Sequence, residues 1–183
     1  MLARLIIKPF GSIWSLKKKC SSNNIMIANI SKLLYGLYQY ENNSSVAWNA
    51  IFKSEPCFPH GFKGIFVSGA AKIGHDCVIF HQVTIGSITL PDAQNKGAPV
   101  IGDNVYIGAG AKIIGAVKIG NNVRIGANTV VYQDVPDNSV VVSGVQKIIT
   151  KDIPLDNRYY SYHNQWVYYK QGSYHIATNQ NII

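Results

Sequence analysis

Residues 101–131 read IGDNVYIGAGAKIIGAVKIGNNVRIGANTVV, and an isoleucine or valine returns at every sixth position of this stretch. The same spacing extends back to residue 67 and is broken by one interval of sixteen residues. The anchors of the repeat are Val67, Ile73, Ile79, Ile85, Ile101, Ile107, Ile113, Ile119, Ile125 and Val131. A period of six is neither the 3.6 of an α-helix nor the 2 of a half-buried strand. It is typical of a β-helix built from hexapeptides.

Three hexapeptides make one triangular coil, in which each anchor points inward from a short strand. Successive coils stack at about the inter-strand spacing of 4.8 Å. A glycine follows the anchor in six of the ten repeats, and we expect it to help the chain turn each corner. The sequence therefore predicts an all-β solenoid, a parallel β-helix, over residues 46–150.

The segments on either side of the repeats differ from them in pattern. In the N-terminal segment, 1–45, apolar residues recur at helical spacing in 1–16 and 25–40, on either side of the lysine run 17–19. We expect two short helices that pack on each other or on a neighbouring subunit. Peripheral contact with a membrane is the second interpretation. The aromatic-rich tail, 151–183, is expected to cap the last coil.

Composition narrows the class of protein. The 183 residues carry 14% charged and 47% hydrophobic residues, which indicates a globular chain. The net charge of +8 favours an anionic partner, and the scattered basic residues argue against nucleic acid. Cys20, Cys57 and Cys77 have neither disulfide nor metal-ligand spacing, so we predict no metal and a reducing, cytoplasmic location. No signal peptide or membrane-spanning run is evident.

The interval of sixteen residues contains one insertion. Ile85 to Leu90 completes a hexapeptide, and Pro91 to Val100 then leaves the repeat before Ile101 resumes it. Prolines and a glycine punctuate the insertion, so we predict a loop. A loop that interrupts a regular scaffold is a common place for function.

Counting by coils of 18 residues places His60 and His81 on adjacent coils of one face, or at its corner. The same face continues into residues 107–111, which are almost bare of side chains. Imidazoles can move a proton, and a glycine-rich strip lets a long ligand lie against backbone amides. His75 occupies the same repeat position as His81 on another face, so His81 could also be a solvated histidine without a role.

Residues 56–150 resemble the catalytic half of the serine acetyltransferase branch of the hexapeptide-repeat acyltransferases. The residues that carry the resemblance are Phe58-Pro59-His60-Gly61, the run from Ile79 to Gly86, the run from Ile101 to Gly115, and the segments 125–130 and 134–138. The resemblance implies a left-handed coil and transfer of acetyl from acetyl-CoA to a hydroxyl, with His60 as general base. It also implies a homotrimer with each site between two solenoids.

The resemblance further implies where CoA would lie. The expected cofactor-binding residues are Gly108, Ala109, Gly110, Lys112, Gly126, Ala127, Ser143 and Lys147. Lys112 or Lys147 would lie near the phosphates. His81 would bind the acceptor, position His60 or stabilise the oxyanion.

Three departures from the family pattern bear on the acceptor. The stretch 96–99 lacks the Arg-His pair that serine acetyltransferases carry in the loop, Ser45 stands where an acidic partner is expected, and Pro59 replaces the usual Asp. Glu55, Asp76, Asp92 or a backbone carbonyl would then have to orient His60. From these departures we predict a saccharide acceptor, as in the short relatives that O-acetylate capsule, O-antigen or exopolysaccharide.

Other functions remain open at this point. The first alternative is serine O-acetylation. A carbonic-anhydrase-like solenoid would need three zinc-binding histidines, and no second pair accompanies His81. A non-catalytic scaffold is the third alternative.

Overall fold

The computed structural model describes residues 7–8, 11–144, 147–162 and 164–177. Two helices open the chain, α1 over Ile13–Lys19 and α2 over Ile25–Glu41. The side chain of Ser12 accepts a hydrogen bond from the Ser15 N–H, and that of Asn24 accepts from two N–H groups of the first turn of α2. A polar residue therefore caps the N-terminus of each helix.

The described residues then form short strands, most of them two or three residues long. They are β1 Ser45–Val46, β2 Ile51–Phe52, β3 Phe66–Val67, β4 Lys72–Ile73, β5 Val78–Ile79, β6 Thr84–Gly86, β7 Val100–Ile101, β8 Tyr106–Ile107, β9 Lys112–Ile114, β10 Lys118–Ile119, β11 Arg124–Ile125, β12 Val130–Val131, β13 Ser139–Val142, β14 Lys147–Thr150, β15 Tyr159–Tyr162, β16 Trp166–Lys170 and β17 Ser173–Ile176.

Three parallel sheets form the solenoid. Sheet 1 has the order β1-β3-β6-β9-β12, sheet 2 has β10-β7-β4-β2, and sheet 3 has β14-β13-β11-β8-β5, in which only β14 is antiparallel to its neighbour. The anchors pair with each other in register, as in the column Ile79, Ile107, Ile125 and Val141. All ten anchors are at most 3% exposed. The hexapeptide prediction is confirmed, and the left-handedness of the coil stays a prediction.

The corner between sheets 2 and 3 shows how the chain turns. Asp76, Asn104 and Asn122 are each the third residue after an anchor, and Asn138 is the third after Val135; all four have φ between +53° and +56°. Asn and Asp tolerate this left-handed conformation better than other side chains. The asparagine amides also bond to each other from coil to coil, at 2.8 Å between 104 and 122 and at 3.0 Å between 122 and 138. We refer to these four residues as the Asn corner.

The glycines that follow the anchors have a different purpose from the one expected. None of them has a positive φ. A Cβ atom on Gly102 would lie 2.7 Å from the carbonyl oxygen of Gly120, and one on Gly108 would lie 2.7 Å from the backbone nitrogen of Ala127. These glycines are required because the next coil passes too close for a side chain.

The two helices cover the N-terminal end of the solenoid. Trp14 packs edge-on against Phe52 with ring centroids 5.0 Å apart, and the Tyr35 hydroxyl donates to the Val46 carbonyl at 2.9 Å. The buried Lys17 ammonium donates to the carbonyls of Trp48 and Ala50 at 3.0 and 2.8 Å. α1 and α2 also pack against each other, so one core runs from the helices into the coils. Neither described helix meets the length and apolarity that a membrane crossing requires.

The tail meets the solenoid in two places. β14 pairs with β13 and so covers the last strand of sheet 3. From residue 151 the chain returns along the Asn corner, where the Asn157 amide donates to the Val123 carbonyl at 3.1 Å and Asn104 donates to the Leu155 carbonyl at 3.2 Å. Strands β15, β16 and β17 then form a separate antiparallel sheet. Capping of the last coil by the whole of 151–183 stays a prediction.

One substitution made at two glycines should change stability in opposite directions. We expect Gly102→Ala to destabilise the protein by about 2 kcal/mol, because the added methyl group strikes the backbone of the next coil. Gly36, in the middle of α2, has open space around it, so Gly36→Ala should stabilise the helix by about 0.5–1 kcal/mol. Urea unfolding of both variants measures this. Equal effects would contradict the stacking argument.

Stability should fall at alkaline pH because of a buried thiol. Burial raises the pKa of Cys77, which is 1% exposed, to about 12. The unfolded value is about 8.5, so this thiol's contribution is complete below that pH and is lost as the pH rises towards 12. We expect the free energy of unfolding to fall by at most about 1.4 kcal/mol per pH unit from this thiol. Cys77→Ala, compared with the parent from pH 8 to 11, should have the shallower slope.

Candidate active site

His60 lies in a turn that buried aromatic residues hold in place. The turn follows Cys57, which pairs with Val78 and so joins this segment to sheet 3. The Gly61 N–H donates to the Phe58 carbonyl at 3.0 Å, and Gly61 has φ +67°. The rings of Phe58 and Phe62 are in contact, with centroids 4.6 Å apart. His60 itself is exposed, so an acceptor molecule can reach its imidazole.

His81 follows β5, at the corner where the chain passes from sheet 3 to sheet 1. Its carbonyl accepts from the Gly110 N–H at 3.0 Å, which fixes the backbone against the next coil. The imidazole is half-buried, and its Nδ1 atom is buried without a hydrogen-bond partner among the described residues. An orphaned ring nitrogen of this kind is a feature that a bound ligand or a water molecule can satisfy.

The structure brings the two histidines together. Their ring centroids are 5.0 Å apart and the ring planes are at 75° to each other. Phe80 also lies against His60, at 5.7 Å between centroids, and Tyr106 continues the contact at 5.2 Å from Phe80. The pair therefore has an apolar floor on one side and is open to solvent at His60.

A strip with little side-chain bulk leads away from the pair. It runs down the same corner through residues 108–110 and 126–127 to Ser143, one coil at a time. Gly110 has φ +73°, and a Cβ there would lie 2.1 Å from the Asn128 side chain, so only glycine fits. The N–H groups of Ala109 and Ala127 donate to no described residue. We refer to residues 80–82, 108–110, 126–128 and Ser143 as the site corner.

The structure places the side chain of one of the two lysines expected near CoA. Lys112 lies on β9, and its ammonium donates to the Gln82 carbonyl at 2.7 Å, which places a positive charge at the site corner beside His81. Lys147 begins β14, and its side chain falls outside the described residues.

None of the acidic residues considered as orienters of His60 makes a hydrogen bond or an ion pair with its imidazole among the described residues. Burial raises the pKa of the Glu55 carboxyl group, and the nearby Lys18 opposes this effect. Asp76 belongs to the Asn corner, where it accepts from the Gln171 N–H at 3.3 Å, and Asp92 is exposed in the inserted loop. Within the described part of the chain, no hydrogen bond to the His60 imidazole is present.

Tyr38 is a neighbour of the site that the sequence did not indicate. A methyl group on Gly61 would lie 3.9 Å from the Tyr38 hydroxyl oxygen, and the Tyr38 ring packs edge-on against Phe62 at 5.8 Å. Tyr38 belongs to α2, outside the repeats, so no repeat position pointed to it. Only the packing of α2 on the first coil brings it to the His60 turn.

The inserted loop lies at the other edge of sheet 1. Ile88 and Gly97 pair across its base, and the Asn95 carbonyl accepts from the Ala116 N–H at 3.0 Å. The Asn95 amide donates to the Tyr132 carbonyl at 2.9 Å. The width of sheet 1, about 15 Å, separates this corner from the site corner. The loop of one chain therefore does not contact the histidine pair of the same chain.

The described residues hold no group of three His, Cys, Asp or Glu side chains that could bind a metal ion. His75 is exposed beside the Asn corner, and its N–H donates to Asp103. The three cysteines are buried free thiols.

The family of bacterial transferase hexapeptide repeats (six repeats) matches residues 98–133. The match lies within the solenoid, contains six of the ten anchors, from Ile101 to Val131, and agrees with the observed register of the sheets.

The sequence relatives are serine acetyltransferases. The chain is 42% identical over 52 residues to that of Mycobacterium tuberculosis, which is 28% of this chain and 22% of the relative. It is also 42% identical over 57 residues to that of Helicobacter pylori, which is 31% of this chain and 32% of the relative. The similarity therefore covers less than a third of these relatives.

The similar solved structures bear the same name. The serine acetyltransferase of Neisseria gonorrhoeae matches with a TM-score of 0.62 and 26% identity, over 77% of this chain and 52% of that one. A soybean serine acetyltransferase matches with a TM-score of 0.62 and 27% identity, over 75% and 54%. A serine acetyltransferase in complex with CoA matches with a TM-score of 0.60 and 25% identity, over 75% and 54%. The chain spans about half the length of these proteins.

The prediction of a saccharide acceptor in capsule, O-antigen or exopolysaccharide synthesis is wrong. The relatives and structural neighbours named above are serine acetyltransferases. The prediction relied on the absence of an Arg-His pair from the loop stretch 96–99. That stretch does not contact His60 and His81 of the same chain. An absent serine-binding pair gives no positive indication of a sugar.

Proposed function

We propose that this protein transfers the acetyl group of acetyl-CoA to the hydroxyl of serine. The observation that carries the proposal is the contact between His60 and His81, 5.0 Å apart at the head of a strip with little side-chain bulk. The similarity to serine acetyltransferases in sequence and in fold supports the reaction class. The similarity to a CoA complex supports the acetyl donor.

His60 acts as the general base in the proposed reaction. Its imidazole takes the proton of the serine hydroxyl while the hydroxyl oxygen bonds to the thioester carbonyl carbon. The carbonyl electrons move to oxygen, and donors at the site stabilise this oxyanion. When the carbon–sulfur bond breaks, CoA leaves with the electron pair and takes the proton back from the imidazolium. The balance is one O-acetylserine and one CoA.

His81 acts on His60 and on the substrates rather than as a second base. Its ring lies edge-on to that of His60, so it limits the orientations that the exposed imidazole can adopt. This contact and the one to Phe80 orient the imidazole among the described residues, where Glu55, Asp76 and Asp92 make no hydrogen bond to it. A fixed imidazole reduces the entropy that must be lost on the way to the transition state.

The site corner is the proposed path of CoA. The free N–H groups of Ala109 and Ala127 can donate to the amide carbonyls of the pantetheine arm. Gly108, Gly110 and Gly126 let the ligand approach the backbone closely. Lys112 supplies one positive charge at the upper end of this path, suited to a carboxylate or a phosphate.

A homotrimer is the proposed assembly, with each site between neighbouring solenoids. The inserted loop and the histidine pair lie at opposite edges of sheet 1, so a loop can complete a site only on another copy of the chain. Sheet 1 also exposes apolar side chains outward, with Phe66 47% and Val130 51% exposed. Exposed apolar residues on one face suit a contact between subunits.

Replacement of His60 should abolish turnover. We expect His60→Asn to lower kcat/KM for serine about 100-fold to 10,000-fold, the range that a general base contributes. The assay is CoA release from acetyl-CoA with serine, and with serine analogues that lack the hydroxyl. The matched control is His75→Asn, which changes an exposed histidine at another corner and should leave turnover unchanged. Full activity in His60→Asn would refute the mechanism, and activity only with other hydroxyl compounds would refute the acceptor.

A larger side chain on the CoA path should weaken donor binding selectively. Ala127 is exposed, so Ala127→Leu leaves the core intact while it fills the strip. We expect KM for acetyl-CoA to rise about tenfold, with KM for serine little changed. The control is Ala70→Leu, an equally exposed alanine between β3 and β4. Equal KM values for acetyl-CoA in both variants would show that CoA follows another path.

A further inference from the structure

The outer side of α2 carries an apolar stripe that the described residues leave exposed. Its residues follow each other at spacings of four, three, four and three, which places them on one line along the helix. They are Met26, Ile30, Leu33, Leu37 and Tyr40, exposed by 67, 47, 64, 45 and 84%. We call this set the α2 stripe. Ile25, 77% exposed, is a further exposed apolar residue in the first turn of α2.

The opposite side of α2 is already occupied. Ala28, Ser31 and Tyr35 are buried, and the Tyr35 hydroxyl donates to the carbonyl of Val46 in the first coil. A rotation of the helix would therefore expose one apolar face in order to cover the other. A helix that is apolar all round needs a second apolar environment on its free side.

The charges of the N-terminal segment indicate what that environment is. Residues 1–40 contain Arg4, Lys8, Lys17–Lys19 and Lys32, and no Asp or Glu; the first acidic residue is Glu41. A second copy of the same surface would meet it with charges of the same sign. An anionic lipid surface would meet it with the opposite sign.

Aromatic residues border the stripe on the same end of the molecule. Tyr40 ends it, and Trp48 is 40% exposed with the Lys32 ammonium 4.4 Å from the centre of its ring. Tyrosine and tryptophan favour the boundary between water and lipid. The 17 residues of α2 span about 25 Å, enough to lie along a membrane surface.

We propose that the α2 stripe is a docking surface for an anionic lipid bilayer, with α2 in the plane of the interface. The apolar side chains enter the acyl boundary, and the exposed Lys18 and Lys32 attract the lipid phosphates. The side of α2 that contacts the solenoid stays as it is. The proposal does not depend on acetyl transfer, because it concerns a surface on the far side of α2 from the His60 turn.

The test is co-sedimentation of the full chain with vesicles. One set contains about one third phosphatidylglycerol in phosphatidylcholine, and the other contains phosphatidylcholine alone. We expect binding to the anionic vesicles that weakens as salt rises from about 0.05 to about 0.5 M. No binding to the anionic set, or equal binding to both sets, would overturn the proposal.

Two triple variants distinguish vesicle binding by the α2 stripe from non-specific binding by exposed apolar residues elsewhere. Ile30→Gln, Leu33→Gln and Leu37→Gln together should reduce binding about a hundredfold, and glutamine maintains the helix. The matched control changes Leu90, Ile153 and Ile176 to Gln, which are exposed by 64, 71 and 59% elsewhere on the chain, and should bind as the parent does. Equal loss in both variants would overturn the assignment to α2. Circular dichroism verifies that both are folded.

Gly36 distinguishes a bilayer from a partner helix. Nothing lies within 4 Å of a Cβ placed there, so Gly36→Leu is compatible with the fold. A bilayer accepts the added apolar side chain, and vesicle binding should be unchanged or stronger. A closely packed partner helix would be displaced instead. A change of oligomeric state in light scattering, together with lost vesicle binding in Gly36→Leu, would show a protein interface and overturn the proposal.

Discussion

The backbone hydrogen bonds between successive coils are the interaction on which the rest of this structure depends. Each N–H after an anchor donates to the carbonyl of the next coil's anchor, as from Gly108 to Ile125 and from Gly126 to Val141, both at 2.8 Å. These bonds require each anchor to stack on the anchor of the next coil, as Ile79 does on Ile107 and Ile107 on Ile125. Extra residues must therefore leave the solenoid as a loop, as the insertion after Leu90 does. The same closeness excludes a Cβ at Gly102 and Gly108, where the neighbouring backbone is 2.7 Å away.

The candidate site forms where the chain departs from the repeat. Before the regular coils begin, the segment from Cys57 to Phe62 leaves the repeat and forms a turn, which Phe58, Phe62 and Tyr38 stabilise. This turn brings His60 over the corner that begins with His81, at 5.0 Å between their rings. The rigid coils below present a strip of glycine and alanine with free N–H groups. A solvent-accessible acid–base group, held by its turn, thus stands above the strip, which is the arrangement that a transfer between two substrates requires.

The comparison of sequence and structure is informative where the two disagree. The anchors, their inward direction and the face shared by His60 and His81 could be predicted, because each depends only on counting along the chain. The reason for the glycines could not, since it depends on the distance between coils rather than on φ. The acceptor was predicted wrongly from the stretch 96–99, which lies at the other edge of sheet 1 from the histidines. A missing motif in a loop indicates little until the site that the loop serves is known.

The sequence by itself determined the solenoid, the position of its single insertion and the two histidines on one corner, because a six-residue period converts residue number directly into place. Only the tertiary structure decided what surrounds them. It placed Tyr38 beside the His60 turn, gave Glu55, Asp76 and Asp92 no hydrogen bond to the His60 imidazole among the described residues, and left the Met26–Tyr40 stripe of α2 exposed. These residues lie outside the repeat or at its corners, where the position of a side chain depends on packing between distant segments rather than on the period.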